Sequence, residues 1–228
     1  MPAGVLPQCA PQVATYTLPA VELPRYVSEE SDIVWYPVAG SSIRDLQSQM
    51  RANGPHDDAG AYAGYTRNST SWHIRWQESG GSCSVTNVAV ATYDTVTLPA
   101  WSPPPNADSA LMAEWSRFVT MLGRHEEGHR DIAIAGAGEI ARTLAMLSPQ
   151  ASCADLAASA NAQGQAILAS VRTRQKQYDE ETSHGQRRGT MLEDPTSPSS
   201  PRFPTLAVLA TFAVLVPFII WWRRSRTR

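Results

Sequence analysis

The stretch SALMAEWSRFVTMLGRHEEGHRDIAIAGAGEIARTLAML, residues 109–147, decides how the chain is read. Asp108 ahead of it is a residue type that caps helix N-termini, and the stretch predicts one long helix. Trp115, Phe118, Val119 and Leu122 precede its centre at helical spacing, and Ile132, Ala133 and Ile140 follow it. The centre itself is HEEGH, His125 to His129, which matches H-E-x-x-H. Residues four apart on a helix lie about 40° apart around the axis and one turn on, so both imidazoles point to one place. Two convergent neutral imidazoles suit zinc. Glu126 borders that place without ligating, where it can serve as general base toward zinc-activated water. The competing reading is a solvated helix face of charged residues; the apolar flanks on both sides argue against it.

A catalytic zinc usually takes three protein ligands and keeps a fourth position open, so a third ligand must come from outside the motif. The metzincin pattern would put a glycine and a histidine further along, but those positions hold Ile132 and Ala135. Glu139 lies about 15 Å up the same helix, and Asp131 points to the opposite face. Of the remaining histidines, His56, His73 and His184, the expected ligand is His184. It follows a second helix, about residues 153–178, long enough to run back along the first. Its setting, Thr182-Ser183-His184-Gly185, reads as a turn that can aim a side chain inward. His73 is the next candidate, on a strand where it alternates away from Trp72 and Trp76. Tyr178 is the expected donor to the oxyanion of peptide hydrolysis, with Tyr65 as the other choice; either is more often a packing tyrosine. Asp179 reads as an acceptor for a zinc-bound imidazole or as a cap. Asp131 reads the same way or as a solvated surface residue.

Upstream, residues 33–38 (IVWYPV) are β-branched and aromatic and predict a strand, with Pro37 marking it as an edge. Ser42 can cap a short helix over residues 43–50, ended by Asn53-Gly54-Pro55. Trp72, Ile74 and Trp76 alternate with His73 and Arg75 as in a half-buried strand; Gly80-Gly81 makes a turn, and residues 84–93 read as a second strand. The expected fold is therefore α+β, a small antiparallel sheet followed by two long helices. Residues 1–30 read as a loose leader, 31–190 as the domain and 191–203 as a Pro/Ser linker.

The chain has 228 residues, 43% of them hydrophobic, enough for one domain with a core. Ahead of the last six residues stand fifteen basic and 21 acidic side chains, and Lys176 is the only lysine. An acidic body without a basic patch argues against nucleic acid as a partner. Residues 203–222 (FPTLAVLATFAVLVPFIIWW) carry no charge and match the length a bilayer core requires, which predicts a transmembrane helix over 204–222. Trp221, Trp222 and the arginines of 223–228 follow the aromatic-belt and positive-inside patterns. They place the C-terminus in the cytoplasm and the domain outside. The N-terminal residues lack a basic region and an apolar run, so they do not form a convincing signal peptide. Cys83 and Cys153 are either one disulfide or two buried thiols, while Cys9 falls in the leader.

The order of features resembles the predicted secreted zinc-dependent proteases grouped as DUF922. The matching stretches are WYPVAG (35–40), NGP (53–55), GYT (64–66), TLPAW (97–101), HEEGHRDIA (125–133), Cys153 and YDEETSHG (178–185). That resemblance implies an extracytoplasmic domain, a zinc protease site and a Cys83–Cys153 bridge. The expectation from sequence is thus a membrane-anchored zinc metallopeptidase acting on protein or peptide. A non-catalytic zinc-binding envelope domain and a zinc hydrolase of cell-wall amide bonds are the competing readings.

Overall fold

The computed structural model describes residues 15–20, 27–57 and 60–193. The elements run β1 (Val27–Val38), α1 (Ile43–Asn53), β2 (His56–Asp57), β3 (Gly60–Ala61), β4 (Tyr65–Ser79), β5 (Ser82–Trp101), α2 (Ser109–Ala145) and α3 (Cys153–Thr182), with a 3₁₀ turn at Gln186–Arg188. Gly80 and Gly81 both take positive φ, the backbone a two-residue hairpin between β4 and β5 needs. β5 becomes the middle strand, in the order β1-β5-β4. The sheet is mixed rather than antiparallel as expected, because β1 pairs parallel to β5 on the side away from β4. Side-chain alternation sets which face of a strand is buried and is blind to strand direction. Residues 33–38 do lie in an edge strand, but that strand starts at Val27, inside the stretch read as leader.

The same stretch departs from a loose leader further upstream. Residues 15–20 have no regular secondary structure, as their composition suggests, yet Tyr16 and Leu18 pack on the core. The Tyr16 hydroxyl donates to Glu127, and Arg130 donates to the Pro19 carbonyl at 2.9 Å. The packed chain also runs past residue 190: Leu192 is buried, and Arg117 holds the Gly189 and Met191 carbonyls. No helix among the described residues is long and apolar enough to cross a membrane. The expected transmembrane segment 204–222, most of the linker before it, the arginine tail and Cys9 lie outside the described residues.

α2 lies on the sheet, and its N-cap Asp108 accepts from the Ala110 amide at 2.7 Å. α3 folds back antiparallel on α2: Tyr178 meets Gly128 near one end of the pair, and Val171 meets Gly136 further along. Cys83, at the start of β5, is disulfide-bonded to Cys153, the first residue of α3. Backbone hydrogen bonds between Cys83 and Gln150, at 2.8 and 2.9 Å, reinforce the junction. The bridge closes a separation of 70 residues, and a loop of that order restricts the unfolded chain by roughly 4 kcal/mol in the chain-entropy account.

The core has two halves. One packs Trp115, Phe118, Val119 and Leu122 of α2 with Tyr36, Val38, Leu46, Leu98 and Trp101. The other packs Ala137, Ile140, Ala141 and Leu144 of α2 with Val88, Val90, Ala160 and Val171. Between them α2 buries His125, Glu126 and Arg130, and β5 buries Thr92 and Asp94. Asp94 is 0% exposed, and neither carboxylate oxygen has a hydrogen-bond partner among the described residues. Burial, with Glu29 nearby, pushes its pKa up to about 7, against a smaller opposing pull from Arg130.

This sets a pH dependence. The folded pKa exceeds the unfolded one, so folded protein keeps a proton between about pH 4 and 7 that unfolded chain releases. The stability it contributes is complete below pH 4 and is lost as pH rises through 7. Asp94→Asn should therefore be more favourable, relative to the parent, at pH 8 than at pH 5. Urea unfolding of both proteins at the two pH values measures this; an equal difference at both would show that Asp94 is ionised throughout.

Candidate metal centre

α2 places His125 and His129 one turn apart with their rings nearly perpendicular, 83°, and centroids 4.9 Å apart. The last turn of α3 brings Asp179 between them. Its Oδ1 lies 3.3 Å from His125 Nε2 and 3.1 Å from His129 Nε2. All three donor atoms lie within 4.8 Å of one another, and the residues form a group that can hold a metal ion. The distances from Asp179 to the two imidazoles match a shared ion: tetrahedral bonds of about 2.0–2.1 Å separate ligand atoms by roughly 3.3 Å. Two imidazoles and one carboxylate, beside an open cleft, are also a donor set found at catalytic rather than structural zinc sites.

The residues around this group aim it. The Gln175 amide donates to the His129 carbonyl at 2.9 Å, so its oxygen faces the ring, 2.5 Å from Nδ1. His129 then carries a proton on Nδ1, an assignment from the hydrogen bonds, and turns Nε2 to Asp179. Thr66 of β4 donates to Glu126 Oε2 at 2.8 Å. A Cβ at Gly64 would stand 2.8 Å from Glu126 Oε1 and 3.0 Å from Leu122, so the chain runs bare past the carboxylate. Burial raises the Glu126 pKa, against the lowering influence of His129, Thr66 and His125. Burial works against a charged Asp179 as well, but hydrogen bonds from His125 and His129 outweigh it and hold the carboxyl far below its ordinary range. For His129, burial disfavours the cation, and Asp179 and Gln175 reverse that and raise the pKa.

Gly128, the fourth residue of HEEGH, has a structural reason. A Cβ there would collide with the Tyr178 hydroxyl and ring. Tyr178 stacks on His125, with centroids 5.0 Å apart and planes 12° apart, and its hydroxyl donates to the His125 carbonyl at 3.2 Å. Arg188 donates to the same hydroxyl at 3.2 Å. The expected oxyanion donor is thus engaged with backbone beside the metal group, where it buttresses the imidazole. Tyr65 stands on the cleft wall, 37% exposed.

The expected third ligand, His184, sits next to the group rather than in it. Ser183, His184 and Gly185 all take positive φ as α3 ends, and this turn carries the ring to the rim, 62% exposed. Its Nδ1 lies 3.7 Å from Asp179 Oδ1. Asp179 stands a little over one turn earlier, where the helix is still packed on α2. His73 is exposed on β4, and His56 bonds to the Arg51 carbonyl; neither lines the cleft. Asp131 is exposed, and Glu139 pairs with Arg174 at 3.1 Å. Sequence reasoning missed Gln175 and Thr66 and gave Asp179 only a supporting part. A signal existed for the helix: Gln175, Tyr178, Asp179 and Thr182 are spaced to share one face.

The centre opens into a cleft of about 580 Å³ between residues 61–68, α2, α3 and the segment after α3. Gln175→Leu should keep the fold and weaken metal binding by about 10–100-fold, because the ring loses the contact that orients it. Competition with a chelator at constant helicity measures it; unchanged affinity would mean that Gln175 does not set the His129 tautomer.

Comparison with known proteins agrees with this layout. The family described as bacterial protein of unknown function (DUF922) matches residues 33–185, which takes in all of the sheet but the first half of β1, both long helices, the metal group and both bridged cysteines. No curated protein and no solved structure matches the chain. With well over half of its 228 residues matched, the chain belongs to the DUF922 family.

Proposed function

We propose that the protein is a zinc-dependent metallopeptidase, with His125, His129 and Asp179 holding the ion and Glu126 as general base. The observation that carries this is the convergence of three ligating atoms on one wall of a cleft that also holds the buried Glu126 carboxylate. Zinc bound there would supply Lewis acidity toward water and the scissile carbonyl. Glu126 takes the proton from the attacking water and returns it to the leaving amine. A carboxylate raised by burial is a stronger base than a solvated one, and its hydrogen bond from Thr66 fixes which oxygen is free to act. His184, beside Asp179, is placed to meet substrate rather than to anchor the ion.

A peptide substrate is favoured by the sheet. β4 is an edge strand, and its first residues, Tyr65 to Asn68, line the cleft. An extended peptide can pair with such an edge through backbone hydrogen bonds, which a sugar or a compact amide cannot do.

The proposed setting is extracytoplasmic, with residues 203–222 as a membrane anchor and the tail in the cytoplasm. The Cys83–Cys153 bridge fits an oxidising compartment, and the arginines beyond Trp222 fit the inner face. Protease added to intact spheroplasts should degrade the domain and spare a C-terminal tag. The opposite pattern reverses the orientation.

The central test is mutational. Glu126→Gln should bind zinc like the parent and lose peptide hydrolysis by about 10²–10⁴-fold, the usual worth of a general base. Asp179→Ala should lose zinc, while His184→Ala should retain it. Full activity in Glu126→Gln would refute the mechanism; zinc bound by Asp179→Ala and lost from His184→Ala would move the third ligand to His184.

A further inference from the structure

Among the described residues, Glu126 and Asp179 are the only acids lining the cleft; Asp179 belongs to the metal group and Glu126 stands beside it. The other charged lining residues are all cations: Arg67, Arg172 and Lys176. Lys176 is the only lysine of the chain. Arg172 and Lys176 stand four residues apart on α3, on the face that ends in Asp179. At 1.5 Å per residue Lys176 lies about 5 Å and Arg172 about 10 Å along the axis from it. Arg67 lines the cleft from β4, beside Asn68.

Among the described residues none of the three has an acidic partner within ion-pair distance, whereas Arg174 on the same helix pairs with Glu139 and Arg117 pairs with Glu114. Other arginines, such as Arg75 and Arg142, also lack an acidic partner among the described residues, so it is the placement of these three that sets them apart. Here they gather on both walls of one cleft, beside the reactive group.

We propose that these three side chains form an anion subsite that selects peptides with glutamate or aspartate two or three residues from the scissile bond. The span follows from the strand rise of about 3.3 Å per residue against the 5–10 Å offset of the cations. This inference rests on the peptidase reading for its substrate, but binding can be read without hydrolysis.

The probes are fluorescent Ala/Gly peptides carrying a Glu-Glu pair, and their Gln-Gln and Lys-Lys counterparts. Anisotropy with the full chain carrying Glu126→Gln should show the Glu-Glu peptide about tenfold tighter than the Lys-Lys one, the gap narrowing with salt. Adding Arg172→Glu and Lys176→Glu should reverse the order, and Arg67→Glu, on the opposite wall, should independently reduce it. Arg75→Glu, an exposed charge change outside the cleft, should leave the order intact. Equal affinities, or a preference that survives charge reversal on both walls, would overturn the subsite. Parent protein then separates the two readings. Preferential binding of the Glu-Glu peptide without cleavage would keep the subsite and refute the peptidase. Cleavage indifferent to charge would refute the subsite and keep the peptidase.

Discussion

Tyr178 occupies the space that a side chain at position 128 would need, and the metal centre depends on that contact. Because residue 128 is glycine, α3 can approach α2 closely enough for the tyrosine ring to lie flat on His125. The approach carries Gln175 and Asp179, on the same face of α3, onto His129 and into the space between both imidazoles. A bulkier residue at 128 would force the helices apart and remove the carboxylate from the pair. The glycine lies inside the very motif that supplies the histidines, so the motif encodes its own packing partner as well as its ligands.

The centre is costly to build. His125, Glu126 and Arg130 are almost fully buried, with Asp94 close by in the same layer between the two apolar clusters. Buried charged groups stabilise little by themselves and often cost stability. Here the cost is offset by anchoring: the apolar halves hold α2 to the sheet on either side of the polar layer, and the Cys83–Cys153 bridge ties the far end of α3 to β5. A metal ion between the imidazoles and Asp179 would add binding energy to the folded state alone.

The two walls of the cleft have different physical characters. The α2–α3 wall is rigid helix and supplies every ligating atom. The wall from Ala61 to Asn68 leads into an edge strand and supplies Thr66 to Glu126. The group that can hold a metal thus sits on helices, and an edge strand forms the wall opposite it.

Much of this was legible in the sequence because it is local. Helical periodicity and an Asp cap mark α2, and i, i+4 spacing makes His125 and His129 converge whatever surrounds them. Strand alternation and a Gly-Gly turn mark β4 and β5. What only the tertiary structure decided is non-local. The direction of β1 is invisible to side-chain alternation, and the packing of residues 15–20 depends on Gly123, Glu127 and Arg130 of a distant helix. The third donor shows the difference most clearly. Asp179 and His184 are five residues apart, and both lie near the right end of α3. Which of them enters the centre is set by where the helix stops: Asp179 is still within its last turn, while His184 falls in a left-handed turn that swings it outward. Composition and spacing carry no record of that swing, because it depends on the residue at which the helix gives way to left-handed backbone.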